Sequence, residues 1–433
     1  MTAPTGLAGS SRRPGRGDRL VVRGGLVVTD EVAAADVVAV DGTIVEVLAA
    51  GTAEVAGARV VDAGGLLVLP GAVDPHVHLD EPGRTHWEGF DCGTAAAAAG
   101  GVTTVVDMPI DSLPPTVTAR EVAAKADAAR AHARVDVALW GGLVPGSVPH
   151  LDEMLAAGVV GFKAFACPSG WDDFPEVDEP TLLAGLERSA ASGRPVGLHA
   201  ELAAHAHTVA SEVEAVRWAA GLVDRTGGHL HVVHVSAIEA VDEAVSHPNL
   251  TVETCPHYLL LSADEAASIG AEARCNPPIR PAPNADALWN AVADGRIGYL
   301  ASDHSPCPTD LKEGDDPWAG ITGLDTLVPA LLDADRVPLP LLVRRLTEAA
   351  RLLRLPGKGA IVPGFDADLV LVDPDEWWVV EPATLHNRHR RSPFAGRTLR
   401  GRVRATFVRG ACVYDVDEGP SPTGGAHVLT PTA

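Results

Sequence analysis

Residues 69–94, LPGAVDPHVHLDEPGRTHWEGFDCGT, carry the strongest structural signal in this chain. A short apolar segment ends there in His76 and His78, two imidazoles one residue apart. Alternate side chains of an extended strand share a face, so both rings can face a single object. A metal ion is the simplest such object. An isolated HxH pair is nevertheless more often a hydrogen-bonded polar pair than a metal site.

The segment around His76 is the first of eight short apolar segments that alternate with Ala-, Glu- and Arg-rich helical stretches. The eight are LLVLPGAVD, TTVVDMP, VDVALWG, VVGFKAF, PVGLH, LHVVH, TVETCP and GYLASD. This rhythm predicts an α/β fold, a closed parallel (β/α)8 barrel, which takes about 250 residues. An open doubly wound sheet is the weaker alternative, because no glycine-rich phosphate turn follows a strand.

Short alternating strands flank the predicted barrel on both sides. LVVRGGLVV and ADVVAVDGTIVEV precede it, with Asp41-Gly42 as a two-residue hairpin turn, and DADLVLVD and GRVRATFVRGACVYD follow it. We therefore predict a barrel at 69–360 and one composite β-sandwich domain at 19–68 plus 361–425. Residues 1–18 are expected to be a disordered tail and 426–433 a second tail.

The composition restricts the classes of partner. The net charge of −23 disfavours nucleic acid and anionic membranes, and no apolar run approaches the roughly 20 residues of a membrane span. Six cysteines without a CxxC pair indicate neither a disulfide framework nor a zinc knuckle. We expect a cytoplasmic protein with a small-molecule substrate.

Residues that bind metals lie at the ends of the predicted strands, where barrel enzymes hold their catalytic residues. Each has an ordinary alternative as a core, loop or helix-capping residue. At one rim of one barrel, however, together they predict a metal site. The six are His76, His78, Lys163, His199, His234 and Asp303.

Lys163 needs its own explanation, because an ammonium group repels metal ions. The chain has only four lysines among its 34 Lys and Arg residues, so a primary amine is a specific choice at this position. A buried lysine can lose its proton and add carbon dioxide, and the resulting carbamate has two oxygens able to bridge two cations. An ordinary, partly buried lysine is the alternative.

The order HxH, Lys, His, His, Asp resembles the cyclic amidohydrolases, the family of dihydroorotases, dihydropyrimidinases or hydantoinases, and allantoinases. The longer similar stretches resemble allantoinases. They include HLDEPGRTHWEGFDCGTAAAAAGGVTTVVDMP, GVVGFKAFACPSGWDDFP, HVVHVSA, ETCPHY, NPPIR, SDHSPC and SPFAGRTLRG.

This resemblance implies a TIM-like barrel with a small β-sandwich, a carbamylated Lys163 and two divalent ions, with Zn²⁺ expected and Co²⁺, Mn²⁺ or Fe²⁺ acceptable. It places one ion on His76, His78 and Asp303 and a second on His199 and His234, with the carbamate between them. A hydroxide shared by the ions would open the hydantoin ring of allantoin to allantoate in purine catabolism, with Asp303 as the proton shuttle. The resemblance further implies a homotetramer. Substrate contacts are expected at Asp111, Ser169, Asn276 and Gly323.

Three features of the sequence bear on the substrate, and the last two depart from the pattern of the family. Asp80 stands where dihydroorotases carry an arginine that grips a carboxylate, which favours an uncharged ring unless Asp80 merely faces solvent or caps its loop. Asp111 stands where allantoinases usually have asparagine, and the segment at 201–212 is short for the family. A hydantoinase or dihydropyrimidinase is therefore one alternative. A non-catalytic scaffold is another, although such proteins lose metal ligands that this chain keeps.

Overall fold

The structure, a computed structural model, describes residues 17–423 and 426–432. Its strands are β1 (Arg19–Val28), β2 (Val32–Val40), β3 (Thr43–Ala49), β4 (Arg59–Asp62), β5 (Leu67–Pro70), β6 (Ala72–Val77), β7 (Val102–Asp107), β8 (Asp136–Leu139), β9 (Gly141–Gly142), β10 (Phe162–Phe165), β11 (Val196–His199), β12 (Leu230–Val232), β13 (Leu250–Thr254), β14 (Tyr299–Leu300), β15 (Leu369–Val379), β16 (Thr398–Val408), β17 (Ala411–Asp415) and β18 (Gly419–Pro420).

The α-helices are α1 (Gly89–Ala99), α2 (Ala119–His132), α3 (Leu151–Ala156), α4 (Glu179–Ser192), α5 (Val209–Thr226), α6 (Ile238–Val245), α7 (Pro256–Leu260), α8 (Ala263–Ile269), α9 (Ala282–Asp294), α10 (Leu327–Ala334), α11 (Leu339–Thr347) and α12 (Ala349–Leu352). Their ends follow local chemistry. Asp178 caps the start of α4 by accepting from the Thr181 N–H, and Gly193 ends the helix in the left-handed conformation. Within residues 17–423 and 426–432, no helix combines the length and apolar character needed to cross a bilayer.

Parallel strands close into the predicted barrel. The strand order is β6-β7-β8, then β9-β10-β11-β12-β13-β14, with β8 and β9 continuing one another across Trp140. A parallel bridge between Val77 and His304 joins the last strand to the first. All eight predicted segments form strands of this barrel, and the predicted fold class is confirmed.

The flanking β segments meet in one nine-stranded sheet, in the order β18-β17-β16-β15-β5-β1-β2-β3, with β4 beside β1. The two flanking segments are joined by the antiparallel pairing of β5 with β15, and also by a bridge between Thr43 and Asp366. The predicted hairpin turn is present, since Asp41 and Gly42 both take positive φ angles, 52° and 83°. The chain passes from the sheet to the barrel at Gly71. The division into a barrel at 69–360 and a β domain at 19–68 plus 361–425 stays a prediction.

Two segments from the C-terminal part of the chain pack on the barrel, residues 427–429 and the loop at 386–397. The predicted tail at 1–18 lies outside the described residues except for Gly17 and Asp18. By contrast, residues 427–429 run beside β8, where the Leu429 N–H donates to the Val137 carbonyl at 2.7 Å. The basic loop HNRHRRSPFAGR (386–397) would be expected from its charge to face solvent or another subunit. Part of it is instead buried: the Asn387 side chain and Arg388 bind Asp325 and Glu88 in barrel loops.

Lys358 holds the barrel and the β-sheet domain together from a buried position. Its Nζ lies 2.5 Å from Asp136 Oδ2 on β8, and 2.8 Å from one carboxylate oxygen each of Asp366 and Asp368, just before β15. Arg409 also contacts Asp136. Because these carboxylates are largely removed from water, burying their negative charges is unfavourable unless a cation lies among them.

We predict that Lys358→Met lowers the free energy of unfolding by about 3–5 kcal/mol, because it leaves three carboxylates in a largely buried cluster with Arg409 at Asp136 in place of two cations. Chemical denaturation of the apoprotein measures the change. The matched control is Arg225→Met, which removes the half-exposed pair of Arg225 with Glu179 and should cost less than about 1 kcal/mol. Equal effects of the two variants would contradict a structural role for the buried lysine.

Candidate metal centre

Three of the predicted residues converge on one point at the C-terminal rim of the barrel. His76 lies in β6, His78 directly follows it, and Asp303 lies three residues beyond β14. His76 Nε2 and His78 Nε2 are 3.4 Å apart, and Asp303 Oδ1 lies 3.3 Å and 3.6 Å from them. These three atoms therefore form a nearly equilateral triangle.

His199 and His234 form a second pair beside the first three residues. His199 ends β11, His234 lies two residues beyond β12, and His199 Nδ1 is 3.0 Å from His234 Nε2. The two groups are neighbours, because the ring centroids of His76 and His234 are 5.2 Å apart. His234 and Asp303 take left-handed backbone conformations, with φ of 39° and 47°. Such strain is costly for non-glycine residues and is tolerated at functional sites.

Lys163 differs from the other three lysines of the chain. All four are buried, and Lys125, Lys312 and Lys358 each donate to carboxylate or carbonyl oxygens. Lys163 Nζ is buried without a hydrogen-bond partner among the described residues. Burial lowers the pKa of Lys163 from 10.5 to about 8, because desolvation disfavours the ammonium form. A neutral amine is the form that can add carbon dioxide.

The geometry of these donors fits divalent cations. Ligands at 2.0–2.1 Å from a tetrahedral zinc ion are about 3.4 Å from one another, which agrees with the triangle of His76, His78 and Asp303. Lys163 Nζ and His234 Nδ1 are buried without hydrogen-bond partners among the described residues. Burying such polar atoms is unfavourable unless a bound group supplies the partner. The donor set of imidazoles and carboxylate suits zinc, cobalt, manganese or iron.

Carboxylates other than the six predicted metal ligands lie against three of the four imidazoles. His76 Nδ1 donates to Glu253 at 2.6 Å, and His199 Nε2 donates to Glu201 at 2.9 Å. His78 Nδ1 lies 2.5 Å from Asp111. A carboxylate on the far nitrogen fixes the tautomer and orientation of a metal-binding imidazole. Sequence reasoning missed Glu201 and Glu253, although an acidic residue inside the apolar strand segment TVETCP was a visible signal.

The four predicted substrate contacts have different surroundings. Ser169 and Asn276 line the cavity in front of the triangle. Asp111 also lines it, but its carboxylate is engaged with His78 and Trp171. Gly323 is not among the lining residues, and its N–H points at His304 Nδ1 at 3.3 Å. The structure therefore brings three of the four to the cavity.

Asp80 does not act on substrate by contact. Its side chain is buried and lies outside the cavity lining, so it neither faces solvent nor faces a bound ring. Burial and the nearby carboxylates of Asp111, Asp107 and Glu88 raise the pKa of Asp80 well above its usual range. Asp80 is therefore not placed to repel an anionic substrate by direct contact.

Aromatic side chains that sequence reasoning did not select wall the cavity. Trp171 and Trp318 line it, and Phe165 stacks on His199 with ring centroids 4.9 Å apart. Cys167, also in the wall, is a buried thiol, and burial raises its pKa to about 12, which disfavours the nucleophilic thiolate form. His231 contributes indirectly, because its Nε2 donates to Glu253 at 3.0 Å.

A family model and individual relatives indicate the same family. The family model described as "Amidohydrolase family" matches residues 67–413. An allantoinase of Rubrobacter xylanophilus is 44% identical, over 93% of this chain and 96% of that protein. An allantoinase of Streptomyces avermitilis is 42% identical, over 94% and 97%.

Solved structures with the same architecture are hydantoinases. An L-hydantoinase (dihydropyrimidinase) from Arthrobacter aurescens superimposes with a TM-score of 0.90 at 31% identity, covering 96% of this chain and all of that one. A dihydropyrimidinase from Brevibacillus agri gives a TM-score of 0.87 at 27% identity, with the same coverage. The similarity thus extends over both the barrel and the composite β domain.

We predict that uptake of divalent metal by the apoprotein improves as pH rises from about 7 to 9. Burial alone lowers the pKa of His78, but Asp111 and Asp303 outweigh it and raise that pKa to about 9. The protons on His78 and on Lys163, whose pKa is about 8, both compete with the cation, so binding is weakest when both are protonated. Competition with a calibrated chelator at several pH values, with and without bicarbonate, measures the affinity. An affinity independent of pH and of bicarbonate would contradict this assignment.

Proposed function

The chain belongs to the amidohydrolase family, and we propose that it opens the hydantoin ring of allantoin by hydrolysis of a cyclic amide bond, giving allantoate. The observation that carries the chemistry is the triangle of His76, His78 and Asp303 beside an unpartnered buried lysine. The substrate is inferred from the allantoinases that match this chain at 44% and 42% identity over almost its whole length.

The proposed cofactors are two divalent cations, Zn²⁺ in the first instance. His76, His78 and Asp303 would hold one, His199 and His234 the other, and Lys163, carbamylated by carbon dioxide, would bridge them. When bound, the ions supply polarisation of a carbonyl group and a nucleophile at neutral pH. The carbamate balances charge, since it replaces a cationic amine by an anion between two cations.

The residues of this chain then have separate tasks in the reaction. Water adds to the ring carbonyl carbon, the carbon–nitrogen bond breaks, and the leaving nitrogen must receive a proton. Asp303 is the proposed carrier of that proton. Burial raises its pKa, but His76 and His78 outweigh burial and lower it to about 2, so the carboxylate is ionised at neutral pH.

The cavity wall suits an uncharged ureide. The rings of Trp171 and Trp318 offer flat apolar surface, while Ser169 and Asn276 bring polar groups to the same cavity. Allantoin presents a planar ring and a ureido group whose N–H and carbonyl groups need partners once they leave water. We further propose that the protein is a cytoplasmic homotetramer.

We predict that the metal-reconstituted protein hydrolyses allantoin with a higher kcat/KM than hydantoin or dihydrouracil. The expected margin over hydantoin is about 10-fold or more, because hydantoin lacks the ureido group and leaves its binding partners unpaired. Measurement of kcat/KM for the three substrates with the same enzyme preparation tests this preference. A preference for hydantoin or dihydrouracil would assign the alternative hydantoinase function. Fully metallated protein inactive on all three would refute the proposal.

We predict that Lys163→Ala lowers turnover at least about 100-fold and reduces the metal content below two ions per chain, because the bridge is lost. Lys163→Arg is the matched control: it keeps a positive charge but cannot form a carbamate, and it should be equally inactive. A short carboxylic acid added to Lys163→Ala should restore part of the activity, whereas Lys163→Arg, with the space filled, should not respond. Full activity of either variant would show that no bridge is needed.

A further inference from the structure

Three tryptophans from three different loops meet beside the cavity, and two of them, Trp171 and Trp318, line it. Trp87 follows β6, Trp171 follows β10 and Trp318 follows β14. Their ring centroids are 5.7 Å apart for Trp87 and Trp171, 5.4 Å for Trp87 and Trp318, and 5.2 Å for Trp171 and Trp318. We call these three residues the aromatic cover. Such contacts between rings add to the free energy of simple apolar burial, so the three loops are held together.

One member of the aromatic cover is bonded to the partner of a proposed metal ligand. Trp171 Nε1 donates to Asp111 Oδ1 at 2.7 Å, and Asp111 Oδ2 lies 2.5 Å from His78 Nδ1. The other nitrogen of His78 points at His76 and Asp303. A continuous path of short polar contacts therefore runs from an indole through a carboxylate to the proposed metal site.

Arg84 contacts two members of this path, Trp171 and Asp111. Its guanidinium lies 3.7 Å from the ring centroid of Trp171, and its Nη1 donates to the main-chain carbonyl of Asp111 at 3.0 Å. One arginine thus holds both the indole and the residue that accepts from it. A tryptophan serving only as a cavity wall would need neither contact.

We propose that Asp111 and Trp171 are positioning residues for His78, and that they couple the aromatic cover to occupancy of the metal site. The indole N–H fixes the carboxylate, and the carboxylate fixes the ring of His78. An asparagine at position 111 would be a neutral and weaker acceptor. Coupling is reciprocal, so metal binding must also order the cover. This inference rests on the proposed two-ion site.

The experiment compares metal affinity, by chelator competition at one pH, in the wild type, Asp111→Asn and Trp171→Phe. Asp111→Asn should weaken binding of one of the two ions about 10- to 100-fold, the effect usual for loss of a ligand's partner. Trp171→Phe keeps the ring contacts but removes the donor, and should weaken the same ion by a smaller factor. The matched control is Trp318→Phe, whose indole is not bonded to Asp111, and its affinity should equal that of the wild type.

Two further readouts separate positioning from general loss of structure. In the double variant, Trp171→Phe should add little to Asp111→Asn, because both act through one carboxylate. Metal titration should change tryptophan fluorescence in the wild type, and most of this change should be absent in Trp171→Phe. Circular dichroism and thermal unfolding of each apoprotein verify that the variants fold.

The possible failures are distinguishable. Wild-type affinity in both Asp111→Asn and Trp171→Phe, or fully additive losses in the double variant, would overturn the inference and leave the proposed function intact. A wild-type protein that binds no divalent cation would overturn the proposed function and this inference with it.

Discussion

The pairing between the first and last strands of the barrel is the interaction on which the site depends. His76 and His78 lie more than two hundred residues before Asp303 in the chain, and only closure of the barrel brings them together. The His78 N–H donates to the His304 carbonyl at 2.7 Å, and the buried Asp74 carboxylate accepts from the Ser302 N–H at 3.1 Å. Without these contacts the ligand triangle would separate into two halves.

Closure concentrates polar groups in a place where stability alone would exclude them. Four imidazoles, an amine and several carboxylates lie within one rim, and burying each requires partners. Glu253 and Glu201 each accept from one nitrogen of His76 and His199, and Asp111 lies 2.5 Å from His78 Nδ1. The second nitrogens of these rings lie against Asp303 or His234. Lys163 is left unsatisfied. The arrangement makes physical sense as a site prepared for cations.

The sequence predicted those features that repeat or that lie at fixed positions on strands. The eight apolar segments predicted the barrel, and Asp41-Gly42 predicted a hairpin turn. The residues at the strand ends predicted the six side chains that line one cavity. It could not predict contacts between distant loops. The carboxylate partners Glu201 and Glu253, and the cluster of Trp87, Trp171 and Trp318, depend on which loops become neighbours after closure. The charge of the loop at 386–397 suggested solvent, whereas buried acidic partners such as Asp325 hold it on the barrel.

The central claim is that two cations occupy the rim with Lys163 between them. Its most direct test is a crystal structure of the metal-loaded protein, with anomalous scattering recorded at the absorption edge of the metal. The account predicts two anomalous peaks, one within bonding distance of His76, His78 and Asp303 and the other beside His199 and His234, with density for a carboxylated Lys163 side chain reaching both. A single peak, or a Lys163 side chain directed away from the histidines, would contradict it.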